Sequence, residues 1–396
     1  MGLPRLLILE GEGVERMAQP KNVGERDLIA AQLQRFGNRY RARLDACAAL
    51  SPRIAQLSIS FPVLFFALAT RYGPIEHRRR AIYRAVDGFA LADIAEALGL
   101  PLCFRHIPPE ACLEALPCVH WSAAANKQFD PHVPRQPHLA APWLVAVSGA
   151  ARTCNEEFAC WLSRQTRLFE GQSPGTAALL PLALYAWHGQ QPGLTPPLRT
   201  SSPWSGQAGL RTAISRSATW LKSLKMEAAL GSSDPIDPWL PASTYRGHSF
   251  VSLTTACALS EEAAAMHNCV DTYAWSIATN ECRLFSVRRG GQRVATLEVR
   301  PHKLFDSYAP VQLKGPCNSD CVLELWHAAS KWIARCGCKP SDRPSTACAL
   351  TADDRLHKML APYYLAMSAR GDDAPRITFA SLMVGMRLLY RCVGLA

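Results

Sequence analysis

Acidic side chains are in short supply in this 396-residue chain: 32 Asp and Glu stand against 43 Lys and Arg, a formal net charge of +11. An imbalance of that size points to polyanionic partners, nucleic acid first among them, and is silent about fold. Charge of either sign is sparse at 19%, which excludes a disordered polyelectrolyte, and 48% hydrophobic residues suffice for real cores. Long hydrophobic runs are missing as well. The longest, Phe61-Pro62-Val63-Leu64-Phe65-Phe66-Ala67-Leu68-Ala69, falls far short of the ~20 residues that cross a bilayer, so no membrane partner is expected. No period of about 20–50 residues recurs, which removes solenoids, and collagen-like, coiled-coil and low-complexity classes drop out on composition.

What is plentiful is cysteine, 15 in all, yet the pattern is not a disulfide scaffold. The count is odd and the chain is long. Met1 to Glu10 runs into charge before a hydrophobic region of useful length forms, so no secretory leader is expected. The thiols read as reduced and mostly buried, in a cytoplasmic protein.

Length suggests roughly two to three domains. Residues 1–127 read as a basic helical region, 128–240 as a helical middle region with proline-rich connectors, and 241–396 as an α+β domain. Leu28, Ile29, Leu33 and Phe36 recur at helical spacing, and His77-Arg78-Arg79-Arg80 precedes the stripe Ile82, Val86, Phe89. Leu91–Leu98 is a short amphipathic helix closed by Gly99, in the manner of the first half of a helix-turn-helix, although Pro108-Pro109 leaves little room for a second helix; the other reading is a helical hairpin with a basic outer face. Prolines 131, 134, 137 and 142 predict an extended connector over 128–142; helices are expected at Cys154–Phe169 and Leu210–Leu230. The main boundary is expected at the proline- and serine-rich stretch Gly231–Pro241.

After Gly247 the texture changes. Ser260, a favoured N-cap, ahead of Glu261 and Glu262 predicts a helix from Leu259 to about Ala278. The alternating runs Arg283–Arg288 and Val294–Val299, joined by Arg289-Gly290-Gly291-Gln292, predict a hairpin; Pro310–Lys314 adds a strand, and Cys321–Arg335 a helix. The C-terminal domain thus reads as helix, three-stranded antiparallel meander and helix.

The densest reactive set is Met266-His267-Asn268-Cys269-Val270-Asp271-Thr272-Tyr273. On a continuous helix His267 and Cys269 leave opposite sides, so a direct dyad needs the helix to begin or break between them. On that continuous helix His267 shares a face with Asp271, and Cys269 with Met266 and Tyr273. His267, Cys269, Asp271 and Tyr273 are the catalytic candidates; in the competing reading Cys269 packs into the sheet and Asp271 orients His267 as a structural pair. Polar strand positions supply substrate-binding candidates: Arg288, Thr296, Glu298, Gln312, Lys314 and Asn318, a set suited to a phosphate or nucleotide, or else an ordinary exposed sheet face. Cys317, Cys321, Cys336, Cys338 and Cys348, with His327 among them, raise a structural zinc. Cys317-x₃-Cys321 fits a knuckle and Cys336-Gly337-Cys338 is too tight, so no metal ligand is assigned and no cofactor is expected.

Residues 247 to about 331 resemble the PcfJ-like family. The resemblance rests on Leu259-Ser260-Glu261-Glu262-Ala263, Met266 to Tyr273, Cys282 to Arg288, Val294 to Val299, and Gln312-Leu313-Lys314-Gly315-Pro316-Cys317-Asn318, in that order and spacing. The family usually has Glu-Gly before the Met-x-x-Cys-Val step; Ala263 stands at the glycine position here. Weaker similarity covers Gly99–Ala111 and the Trp161 region. The family is named for its setting on plasmids and other mobile elements and carries no settled reaction. The resemblance implies a bacterial protein of a mobile element, working near nucleic acid. Three expectations follow: a nucleic-acid-associated accessory protein, an enzyme on a nucleotide or phosphate-bearing substrate with a site centred on His267, or a non-catalytic interaction module with structural zinc.

Overall fold

Proline or glycine marks at least one end of five of the nine helices described in the first unit. The computed structural model describes residues 23–119, 121–170, 175–191, 203–231, 236–302, 304–342, 351–371 and 374–394. The chain divides into two compact units, residues 1–176 and 177–396.

Among its described residues the first unit is built from helices: α1 (Val23–Gln34), α2 (Arg41–Ala48), α3 (Pro52–Ser60), α4 (Pro62–Ala69), α5 (Ile75–Asp87), α6 (Leu91–Leu98), α7 (Ala123–Phe129), α8 (Pro137–Thr153) and α9 (Glu156–Ser163). Ser51 caps α3 by accepting from the Arg53 amide, with Pro52 at the first helical position. The longest apolar run becomes α4, buried along its whole length. Helices α5 and α6 each stop at a glycine in the left-handed region, Gly88 at φ +79° and Gly99 at φ +73°, and pack as a hairpin in which the Arg84 guanidinium donates to the Asp93 carbonyl at 2.6 Å.

Two expectations for this unit are corrected. After Gly99 the chain forms only short 3-10 turns, Leu102–His106 and Pro109–Ala111, before α7, so α6 has no recognition helix behind it and the pair α5–α6 is a helical hairpin. The prolines of 128–142 do not make an extended connector either. Pro137 opens α8, where its missing N–H costs nothing, and Pro142 sits within the first turns of the same helix.

The second unit holds α10 (Thr176–Gly189), α11 (Leu210–Leu230), β1 (Ser243–Tyr245), β2 (His248–Ser252), α12 (Ala256–Met266), α13 (Ala274–Ala278), β3 (Arg283–Arg289), β4 (Gln292–Pro301), β5 (Tyr308–Lys314), α14 (Leu323–Cys336), α15 (Ala352–Met359), α16 (Ala361–Ala369) and α17 (Phe379–Cys392). Residues 231–241 lie inside this unit. The class is α+β, with one antiparallel sheet in the order β1-β2-β3-β4-β5. The meander therefore has five strands rather than three. The extra pair is a short hairpin turned by Arg246-Gly247, with Gly247 at φ +76°, whose outer strand is only three residues long.

Alternation along the strands gives the sheet two different faces. One buries Phe250, Phe285, Val287, Leu297 and Val299 against Leu325, Trp332 and Ile333 of α14, with Phe250 and Trp332 stacked at 4.2 Å. The other presents Leu284 to a second core that includes Met226, Leu230, Leu259, Val270 and Ile277, from α11, α12 and the segment after it. Elsewhere in the unit α17 carries Gly385, where a β-carbon would lie 2.9 Å from Cδ of Pro181 in α10, so a larger residue would push the two apart.

The helix expected over Leu259–Ala278 is also corrected. Its N-cap is Thr255, whose hydroxyl accepts from the Ala258 amide at 3.1 Å, so Ser260, Glu261 and Glu262 fall in mid-helix. The helix ends at Met266 because His267 turns left-handed at φ +49°; a 3-10 turn (Val270–Tyr273) and α13 follow.

Candidate functional site

The break at His267 lets the chain bring polar groups to a face that a continuous helix would have covered with its own apolar side. Asn268, released from the helix, donates from Nδ2 to the Thr296 hydroxyl at 3.1 Å, and that hydroxyl donates to Oε1 of Glu262 at 2.9 Å. Glu262 is fully buried, and Arg293 reaches its other oxygen through Nε at 2.9 Å. A carboxylate removed from water needs such partners, and here a guanidinium and a hydroxyl supply them.

Cross-strand register extends this face. Ser286, Thr296 and Lys314 lie opposite one another on β3, β4 and β5, and so do Leu284, Glu298 and Gln312. Glu298 is buried and accepts from Arg300 Nε at 2.5 Å. The Tyr273 hydroxyl donates to Gln312 Oε1 at 2.9 Å. Burial first, and then the Glu298 carboxylate, raise the Tyr273 phenol above its ordinary value, so it stays protonated at neutral pH. Donating that hydrogen bond to Glu298 raises the Arg300 guanidinium in turn. Cys282 is buried beside Glu298, and burial pushes its thiol up to about 12.

Of the residues singled out in the sequence, Thr296, Glu298, Gln312 and Tyr273 come together here. Lys314 is in register with Thr296 and pairs with Asp320 at 2.6 Å. Asn318 is exposed at φ +59°, in the turn after β5 against which α12 packs. Arg288 lies at the hairpin end of the sheet, its Nε donating to the Ser286 hydroxyl at 3.2 Å. His267 and Cys269 flank Asn268 in sequence and are both exposed.

Asp271 corrects the expected pairing. With the helix broken it does not share a face with His267 and forms its ion pair with Lys222 of α11, while its Oδ1 is buried without a hydrogen-bond partner. Glu262 is the residue that the sequence reading missed as a site member, since a carboxylate just after a favoured N-cap looks like a solvated first-turn charge. The signal was its place in the Glu-Gly step of the family pattern.

Arg283, also buried, serves the scaffold. Its guanidinium donates to the carbonyls of Asp237, Ile277 and Cys282 and lies 4.3 Å over the Trp239 ring. Among the described residues no group of three or more His, Cys, Asp or Glu side chains is placed to hold a metal ion, and Cys348 lies outside them. No described helix is long and apolar enough to cross a membrane.

At the end of the sheet where the β1–β2 and β3–β4 turns lie, the chemistry changes from buried to exposed. Register places Arg289 opposite His248 and Arg288 opposite Ser249, with Arg246 in the adjoining turn. Arg246 and Arg289 are exposed. Among the described residues none of Arg246, Arg288 and Arg289 has a carboxylate partner.

Residues 242–329 match the family model described as PcfJ-like protein, which covers the sheet, the broken helix and the first part of α14. No curated protein and no solved structure matches the chain.

Proposed function

We propose, from the match of residues 242–329 to the PcfJ-like family model, that the protein is a nucleic-acid-associated accessory protein of a mobile genetic element. The observation that carries this reading is the end of the sheet where Arg246 and Arg289 are exposed, with Arg288 on the opposite face from Arg289, none of the three having a carboxylate partner among the described residues. Guanidinium groups grip phosphate oxygens in a planar, often bidentate fashion, and a chain with net charge +11 adds long-range attraction. Measuring affinity for duplex DNA and for single-stranded RNA against salt tests it. Phosphate-driven binding weakens steeply as salt rises; absence of binding to either polymer at low salt ends the proposal.

A second reading, an enzyme acting on a nucleotide or another phosphate-bearing substrate, is favoured by the buried polar face. Glu262 on α12 and Thr296 and Glu298 on β4 occupy buried positions that a purely structural helix–sheet contact would fill with apolar side chains. In this reading Tyr273 and Gln312 contact the substrate, and His267 and Cys269 beside the face supply proton transfer or nucleophilic attack. Replacing His267 by Ala and Cys269 by Ser should remove an activity, or a growth defect in a producing cell, without unfolding the chain. Full retention of phenotype in both variants counts against it.

A further inference from the structure

The second unit contains a cavity of about 280 Å³ walled by α11, the segment 271–275 and α17. Leu221, Met226 and Met386 are buried in its walls, and the exposed Trp275 and Met383 stand at its edge, 48% and 38% accessible. Large apolar side chains left in water around an opening mark a place where something apolar docks, and methionines adapt to varied shapes. The volume lies at the lower edge of the roughly 300–1,000 Å³ typical of ligand pockets, so it suits a small molecule rather than a peptide.

The charges at this cavity select the head group. Lys222 and Lys225 sit three apart on one face of α11, and both line the cavity. Asp271 neutralises Lys222. Lys225 is exposed and, among the described residues, has no carboxylate partner. Asp271 lines the cavity, but its Oδ1 is buried and without a hydrogen-bond partner, so that oxygen is not offered to a ligand. We propose that this cavity binds a small amphipathic anion, an apolar body bearing one carboxylate, with the body among Leu221, Met226 and Met386 and the carboxylate at Lys225. The proposal stands independently of nucleic-acid binding.

Titration calorimetry of the full chain with octanoate, and separately with 1-octanol, tests it. Octanoate should bind at a single site. Lys225→Glu, a change at an exposed position, should weaken octanoate by about tenfold or more, the scale of a lost charge-assisted contact, and leave octanol within about twofold. Ala218→Phe, on the cavity wall, should abolish both while the melting curve remains cooperative. Absence of octanoate binding overturns the proposal. So does octanoate affinity unchanged in Lys225→Glu, or binding of either probe unchanged in a folded Ala218→Phe.

Discussion

The Thr296 hydroxyl donates to Glu262 Oε1 at 2.9 Å, tying the middle of α12 to the centre of β4 through two buried side chains. Because the same oxygen accepts from Asn268, a single hydroxyl holds both the helix and the turn that ends it.

Thr296→Val, close in shape, removes that hydroxyl and leaves two buried polar groups without it. Stability should fall by about 1–3 kcal/mol, whereas Asn268→Ala, which removes the partly buried bond to Thr296 and a long one from the Val270 amide, should cost about 1 kcal/mol. Urea denaturation of the second unit's transition measures both. Equal stability of Thr296→Val and the wild type would show that the hydroxyl holds nothing.

His188 supplies a pH prediction. Burial among Trp187, Trp220 and Tyr363 lowers its imidazole from 6.5 to about 4, and its Nε2 has no hydrogen-bond partner. The unfolded chain takes up a proton near pH 6.5 that the native one refuses until about pH 4. The contribution is therefore complete above pH 6.5 and is lost as pH falls between those values, by about 3 kcal/mol in total. Unfolding free energies between pH 7 and 4 should show this slope in the wild type and lack it in His188→Gln.

The thiols divide by burial. Cys47, Cys103 and Cys282 are each raised by burial to about 12, while Cys269 and Cys317 are exposed. Brief alkylation at pH 8 should label Cys269 and Cys317 in the native protein and the three buried thiols only after denaturation, as read by peptide mass spectrometry. The buried thiols also weaken the fold in alkali. Their contribution is full below about pH 9, where the unfolded thiols ionise, and is lost as pH rises from there toward 12.

Much of this architecture was legible in residue pattern. Leu210–Leu230 is helical from end to end as its periodicity predicts, and Gly290-Gly291 turns the β3–β4 hairpin at φ +57° and +85°. The misses at the broken helix and at Glu262 come from tertiary contacts that no local signal announces. No proline or glycine marks the end of α12; His267 is left-handed because Asn268 is drawn to Thr296 on a strand 28 residues away. A three-residue outer strand such as β1 is too short to show alternation. Glu262 looked solvent-facing because its partners, Arg293 and Thr296, arrive only when the sheet packs under the helix. The substrate candidates Thr296, Glu298 and Gln312 were found together because strand alternation puts them on one face and register lines them up.

The most direct test of nucleic-acid association compares the salt dependence of duplex DNA binding by the wild type and by the double variant Arg246→Ala/Arg289→Ala. Each phosphate contact contributes about 0.9 to the slope of log affinity against log salt, so the account predicts a steep wild-type slope that drops by about 2 in the variant. A slope identical in the two proteins, or no binding by the wild type at low salt, would contradict it.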